Sequence, residues 1–156
     1  MTSYFAVLVS FDIDDTLVPG TPAPFALETS LGQRILARLF REGLRLGTIQ
    51  LFHELRRRGH GVALYTTSHR SRWWLRVRFL LSGVPLVKIV NGDTHRRAVE
   101  HLSAPPSKLP SLFGIDLHVD DSVGVLQEGA THGFAVLHVG AHDSEWTSRV
   151  LEAVGD

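Results

Sequence analysis

Short apolar runs of strand length alternate with stretches of helical periodicity from one end of the chain to the other. Residues 4–10 (YFAVLVS) form a β-rich run that ends in the acidic turn FDIDDT. Val62–Tyr65, Leu86–Val90, Leu117–Val119 and Phe134–Val139 are the next such runs. Between them, apolar residues fall at Ile35, Leu36, Leu39, Phe40 and Leu44 with arginines interleaved, which predicts an amphipathic helix. Ile49, Phe52 and Leu55 predict a second helix that stops near Gly59. Trp74, Val77 and Leu81 predict a third, ended by Gly83-Val84-Pro85, with one of Trp73 and Trp74 packed on the sheet. A helix opens at Val123–Gln127 and another closes the chain at Trp146–Val154. Strand–helix alternation at this spacing gives an α/β fold: a central parallel sheet of about five strands between two helical layers. With 156 residues and 44% apolar composition, one domain spanning 1–156 with a real core is expected.

Composition removes several classes of function. No cysteine is present, which excludes disulfides, thiolate metal sites and a cysteine nucleophile. No apolar run approaches the ~18–20 residues of a membrane span, and the start lacks a basic segment and cleavage site. A soluble cytoplasmic protein with no membrane partner is therefore expected. The zero net charge conceals an uneven distribution. Residues 34–78 hold eleven arginines against Glu42 and Glu54, whereas 110–156 hold eight acids against Arg149. The arginine-rich stretch reads as a solvated helix face opposite the apolar stripe, and a nucleic-acid or other anionic partner stays open beside that reading.

In parallel α/β sheets, ligands bind at the carboxyl ends of the strands. Asp12, Asp14 and Asp15 follow the first run, Thr66, Thr67 and Ser68 the second, and Asp120 and Asp121 the fourth, with Lys108 just before it. Carboxylates gathered this closely repel unless a cation neutralises them, and an all-oxygen donor set favours Mg²⁺. Such a centre suits phosphoryl transfer. Asp12, at a strand end, is the expected nucleophile and Asp14 the general acid and base. Thr66 is the expected donor to a phosphoryl oxygen, with Thr67 as the alternative, and Lys108 the expected charge-balancing cation. Lys88 competes with Lys108 but falls within a strand-like run. His69 and Arg70 read equally as substrate contacts or as a solvated helix start, and His118 as a packed, hydrogen-bonded histidine within its strand.

FDIDDTLV resembles the first motif of the haloacid dehalogenase (HAD) superfamily, D-x-D-x-T after the first strand. VALYTTS resembles its second motif, Lys108 its third and Asp120-Asp121 its fourth, in the right order over residues 5–122. The resemblance implies a Rossmann-like HAD fold, Mg²⁺ as cofactor, and a phosphatase working through an aspartyl-phosphate. It implies metal ligation by Asp12, by Asp14 through its backbone carbonyl, and by Asp121, with Asp120 assisting directly or through water. It places Thr67 toward substrate, and Ser68 and His69, which follow the second motif, are expected beside it. The chain has no room for the family's large cap, so residues 19–46 are expected to form a flap or minimal cap with at most one short helix. The short gap from Lys108 to Asp120, with TTS in the second motif, is loosely similar to small C-terminal-domain phosphatases. A small molecule, a nucleotide and a phosphoprotein all remain open as the phosphorylated substrate, as do an oligomer, a phosphotransferase or nucleotidase, and a catalytically silent binding protein on the same fold.

Overall fold

The computed structural model describes residues 5–155. Tyr4, where the first predicted strand begins, lies outside the described residues. Five strands, β1 (Leu8–Phe11), β2 (Gly61–Tyr65), β3 (Lys88–Val90), β4 (Leu117–Asp120) and β5 (Val136–His138), form one sheet. Their order is β3-β2-β1-β4-β5 and every pairing is parallel. The helices are α1 (Leu31–Phe40), α2 (Thr48–Arg57), α3 (Arg72–Leu81), α4 (Gly92–Val99), α5 (Val123–His132) and α6 (Trp146–Val154), with a 3₁₀ turn at Pro110–Phe113.

Strand alternation divides the core. Val9, Phe11, Val62, Leu64 and Val119 face one side, where Leu51, Phe52 and Leu55 of α2, Leu75 and Phe79 of α3, and Trp146 and Val150 of α6 cover them. Leu8, Ala63, Tyr65 and Val90 face the other and form a smaller cluster with Ile115 and Phe113. Ser10 and His118 are register partners that sit on this second face, so it carries polar groups that the first lacks.

Two helices turn differently from the sequence expectation. α1 ends at Phe40, because Arg41 adopts a left-handed conformation (φ 58°), and Leu44 falls outside it. Its stripe of Leu31, Ile35 and Leu39 faces solvent, while Gln33 is buried and accepts a hydrogen bond from Arg78 at 3.0 Å. Periodicity finds the helix but not which side meets the protein. In α3 the inward residues are Leu75, Arg78 and Phe79, and not Trp74, Val77 and Leu81. Both tryptophans are exposed, and Trp74 packs on Phe40 with ring centres 4.4 Å apart, not on the sheet. The third strand starts at Lys88, two residues later than expected, and Lys88 lies in it, donating to the Phe113 carbonyl. α4 has no counterpart in the sequence reading. It is short and strongly polar, and is capped by Asn91, whose side chain accepts from the Thr94 N–H at 3.0 Å. Among the described residues no helix is long and apolar enough to cross a membrane.

Candidate active site

β1 and β4 are neighbours, so their carboxyl ends deliver Asp12 and Asp120 to one place. Lys108, which belongs to neither a helix nor a strand, inserts between them. Its ammonium donates to Asp12 Oδ1 at 2.5 Å and to Asp120 Oδ2 at 2.6 Å, and all three side chains are buried. Asp121 stands alongside, held by the Thr16 hydroxyl at 2.9 Å, and the Thr16 oxygen in turn accepts from the Asp121 N–H at 3.1 Å. Asp12, Asp120 and Asp121 each offer an oxygen within 4.8 Å of the other two. The donors are all carboxylate oxygens, one pair of which already shares a cation, so they fit a hard divalent ion such as Mg²⁺.

Burial sets the protonation of this cluster. It raises Asp12 from 3.8 to about 6, with the Asp120 charge adding to the rise and Lys108 opposing it. Burial also works to raise Asp120, but hydrogen bonds and charge from His118 and Lys108 win and hold it near 2. Asp121 is raised, by burial first. The ammonium therefore sits beside one firmly ionised carboxylate and one that readily takes a proton.

A cavity of about 200 Å³ at this point is lined by Asp12, Asp14, Thr67, Ser107, Lys108, Asp120 and Asp121 among others. The structure thus brings together the expected nucleophile, acid/base, cation and acidic pair. Of the two threonines, Thr67 lines this cavity. Thr66 is fully buried, and its oxygen serves the loop itself, accepting from the Ser68 N–H at 3.1 Å and donating to the Ser68 hydroxyl at 3.0 Å. Gly92, the first residue of α4, presses on this loop so closely that a Cβ there would lie 2.3 Å from the Thr67 carbonyl oxygen. His69 is not among the cavity's lining residues; it is exposed and pairs with Asp93 at 3.0 Å.

Asp14 is held by a neighbour that the sequence left undecided. Both its oxygens accept from the Arg70 guanidinium at 2.8 Å, a two-point fork. Arg70 also donates to Glu42 at 2.6 Å and to Ser68 at 3.0 Å. Glu42 comes from the segment 19–46, which contains the one helix α1. A second cavity of about 300 Å³ opens here, lined by Asp14, Asp15, Arg41, Glu42 and Arg70 among others. Nothing in the spacing of positions 14, 42 and 70 signals this triad. Only the arrival of three loops at the carboxyl ends of the strands creates it.

The chain is similar in structure to a HAD-superfamily hydrolase (subfamily IA, variant 1) of Geobacter sulfurreducens, with a TM-score of 0.58, 14% identity, and 97% of this chain and 98% of that one covered. It is similar to a predicted HAD-like family hydrolase of Porphyromonas gingivalis with a TM-score of 0.54 and 11% identity, over 99% and 100% of the two chains. The fold is that of the HAD-superfamily hydrolases. A predicted phosphoglycolate phosphatase of Haemophilus somnus shares this HAD fold with a TM-score of 0.51 and 14% identity, over 88% and 86% of the chains. No family model and no curated protein matches the sequence. At such identities the likeness speaks for the HAD architecture, and the chemistry rests on the residues of this chain.

Proposed function

We propose that the chain is a Mg²⁺-dependent phosphomonoesterase that works through an aspartyl-phosphate on Asp12. The observation that carries this reading is Lys108 buried between Asp12 and Asp120, with Asp121 completing a three-carboxylate cluster beside an open cavity. Lys108 occupies Asp12 Oδ1, which leaves Oδ2 to attack phosphorus while the bond to the leaving oxygen breaks. Asp14 gives that oxygen a proton and then takes one from the water that releases inorganic phosphate and restores Asp12. Acid–base work by Asp14 requires the Arg70 fork to open, and Glu42 and Ser68 remain as partners for the freed guanidinium. Thr67, which lines the cavity, would donate its hydroxyl to a phosphoryl oxygen, with Thr66 shaping its loop. Mg²⁺ held by Asp12 and Asp121, with Asp120 beside them, supplies charge neutralisation when bound. No residue of 19–46 lines the cavity at Asp12, and a substrate with an exposed phosphate suits a site so little covered.

The test is turnover of a panel of phosphomonoesters, p-nitrophenyl phosphate included, with Mg²⁺ and with chelator. Hydrolysis should require Mg²⁺, and Asp12→Asn should lower kcat by about a thousand-fold or more while the protein stays folded. Asp14→Asn should accumulate protein heavier by one phosphoryl group. Undiminished hydrolysis by Asp12→Asn would overturn the mechanism.

A further inference from the structure

The segment carrying Lys108 lies between α4 and the 3₁₀ turn and has no regular structure of its own. A flexible four-carbon side chain on a coil is a poor way to aim a cation. Yet its backbone and its ammonium are both tied down, each through a buried histidine. The Leu109 N–H donates to the Tyr65 hydroxyl at 2.8 Å, and that hydroxyl donates to His95 Nδ1 at 2.6 Å. His95 Nε2 then donates to the Pro106 carbonyl at 3.2 Å. This loop of bonds clamps the chain on both sides of Lys108. Between them, the Ser107 N–H and hydroxyl donate to Glu128 of α5 at 2.9 and 2.6 Å.

The second tie runs beneath the ammonium. The Ser10 hydroxyl donates to His118 Nδ1 at 2.7 Å, and His118 Nε2 donates to Asp120 Oδ2 at 2.9 Å, the same oxygen that Lys108 uses. Ser10 and His118 are fully buried, so this Ser–His–Asp row is closed to any substrate and has no use as a nucleophilic triad. Asp120 Oδ1 accepts from the Ser122 N–H at 2.8 Å, so both oxygens of the carboxylate are fixed. The Tyr65 ring lies between the two ties, 5.8 Å from the His95 ring, 5.5 Å from the His118 ring and 5.9 Å below the Lys108 ammonium.

We infer that Tyr65–His95 and Ser10–His118 are paired positioning relays for Lys108: the first sets its backbone, the second anchors through Asp120 the point from which its ammonium reaches Asp12. This rests on the catalytic role proposed above for Lys108. Buried polar chains of this kind are costly unless every member is satisfied, and here each tautomer follows from its neighbours: Nδ1 accepts and Nε2 donates in both histidines. None of the four residues needs to touch the substrate.

A double-mutant cycle tests the inference on p-nitrophenyl phosphate. Tyr65→Phe removes one oxygen and keeps the ring, and His118→Leu removes the donor to Asp120. Each should lower kcat by ten- to a hundred-fold, on the order expected for a displaced catalytic group, with KM changed less than about two-fold. In a Lys108→Met background neither should cost anything further. His118→Gln, whose amide can again donate to Asp120, should recover most of the loss. Equal losses with and without Lys108 would overturn the relays, because they would then act independently of it. Amide hydrogen exchange needs no turnover: the Leu109 amide should exchange at least about ten-fold faster in Tyr65→Phe, and an unchanged rate there would also overturn the inference. Failure of the parent reading is distinct. It would appear as no hydrolysis by the unaltered protein, or as hydrolysis indifferent to Lys108→Met.

Discussion

Asp12 is costly to the protein that carries it. Its carboxyl ionises near 6 in the folded chain against 3.8 unfolded, so the folded state binds more protons between those values. Stability contributed by this group is present below about pH 4 and is lost as pH rises through about 6. The loss amounts to about 3 kcal/mol by pH 7, from two pH units at about 1.4 kcal/mol each. His118 runs the opposite way. Burial lowers it from 6.5 to about 4, so its contribution is present above 6.5 and lost as pH falls through 4. In chelated buffer, Asp12→Asn should therefore gain stability relative to the unaltered protein between pH 4 and 7, by up to about 3 kcal/mol in urea unfolding. A stability difference that is flat across that range would refute the buried-carboxyl account. Sequence motifs pointed to Asp12, Asp14 and the Asp120-Asp121 pair, which stand at or just after strand ends, and to Lys108, which lies in the coil between α4 and the 3₁₀ turn. They were silent on Arg70 holding Asp14 and on His95 serving residue 106, since those partners are set by where separate loops meet and by no local spacing.

Among the elements, α4 shows how a short helix can shape a candidate site to which it gives no lining residue. Its polar composition hides it from hydrophobic periodicity, whereas its Asn91 cap and the dense packing of Gly92 on Thr67 make it a buttress for the loop after β2. Gly92→Ala should push that loop off the cavity, because backbone sits where the methyl would go. The expected result is a loss of about 1–3 kcal/mol in stability together with a fall in kcat/KM. A variant with the melting temperature and turnover of the parent would show that the loop yields freely. α1 offers the complementary lesson. Its period was legible, but its orientation was decided by Arg78 reaching Gln33 and by Phe40 meeting Trp74, contacts made across 45 and 34 positions of sequence. Apolar spacing predicts which residues share a face, and tertiary partners decide whether that face is covered.

For the molecule as a whole, the parallel sheet was legible because its strands are short apolar runs at regular intervals and its connections are helical. The candidate site was legible as a place because such a sheet converges its strand ends. What joins Asp12 and its loop to the rest is long-range: Lys108 meets Asp12 over 96 positions and Thr16 meets Asp121 over 105, whereas Lys108 and Asp120 are 12 apart. The stretch 108–121 holds Lys108, Asp120 and Asp121, but the cluster is complete only when β1 brings Asp12 to them. Activity and far-ultraviolet dichroism should consequently fall together in a denaturant titration, and activity lost well before the helices melt would show that the site opens locally.

The placement of β1 at the middle of the sheet has a consequence for how the protein is made. The strand bearing Asp12 is the first to be synthesised, yet one of its two partners, β4, follows more than a hundred residues later. Throughout that interval the emerging chain presents β1 with at least one edge unpaired, an apolar template open to other strands. Asp12 is thus made well before the strand that encloses it, and the interval between the two leaves β1 open to mispairing.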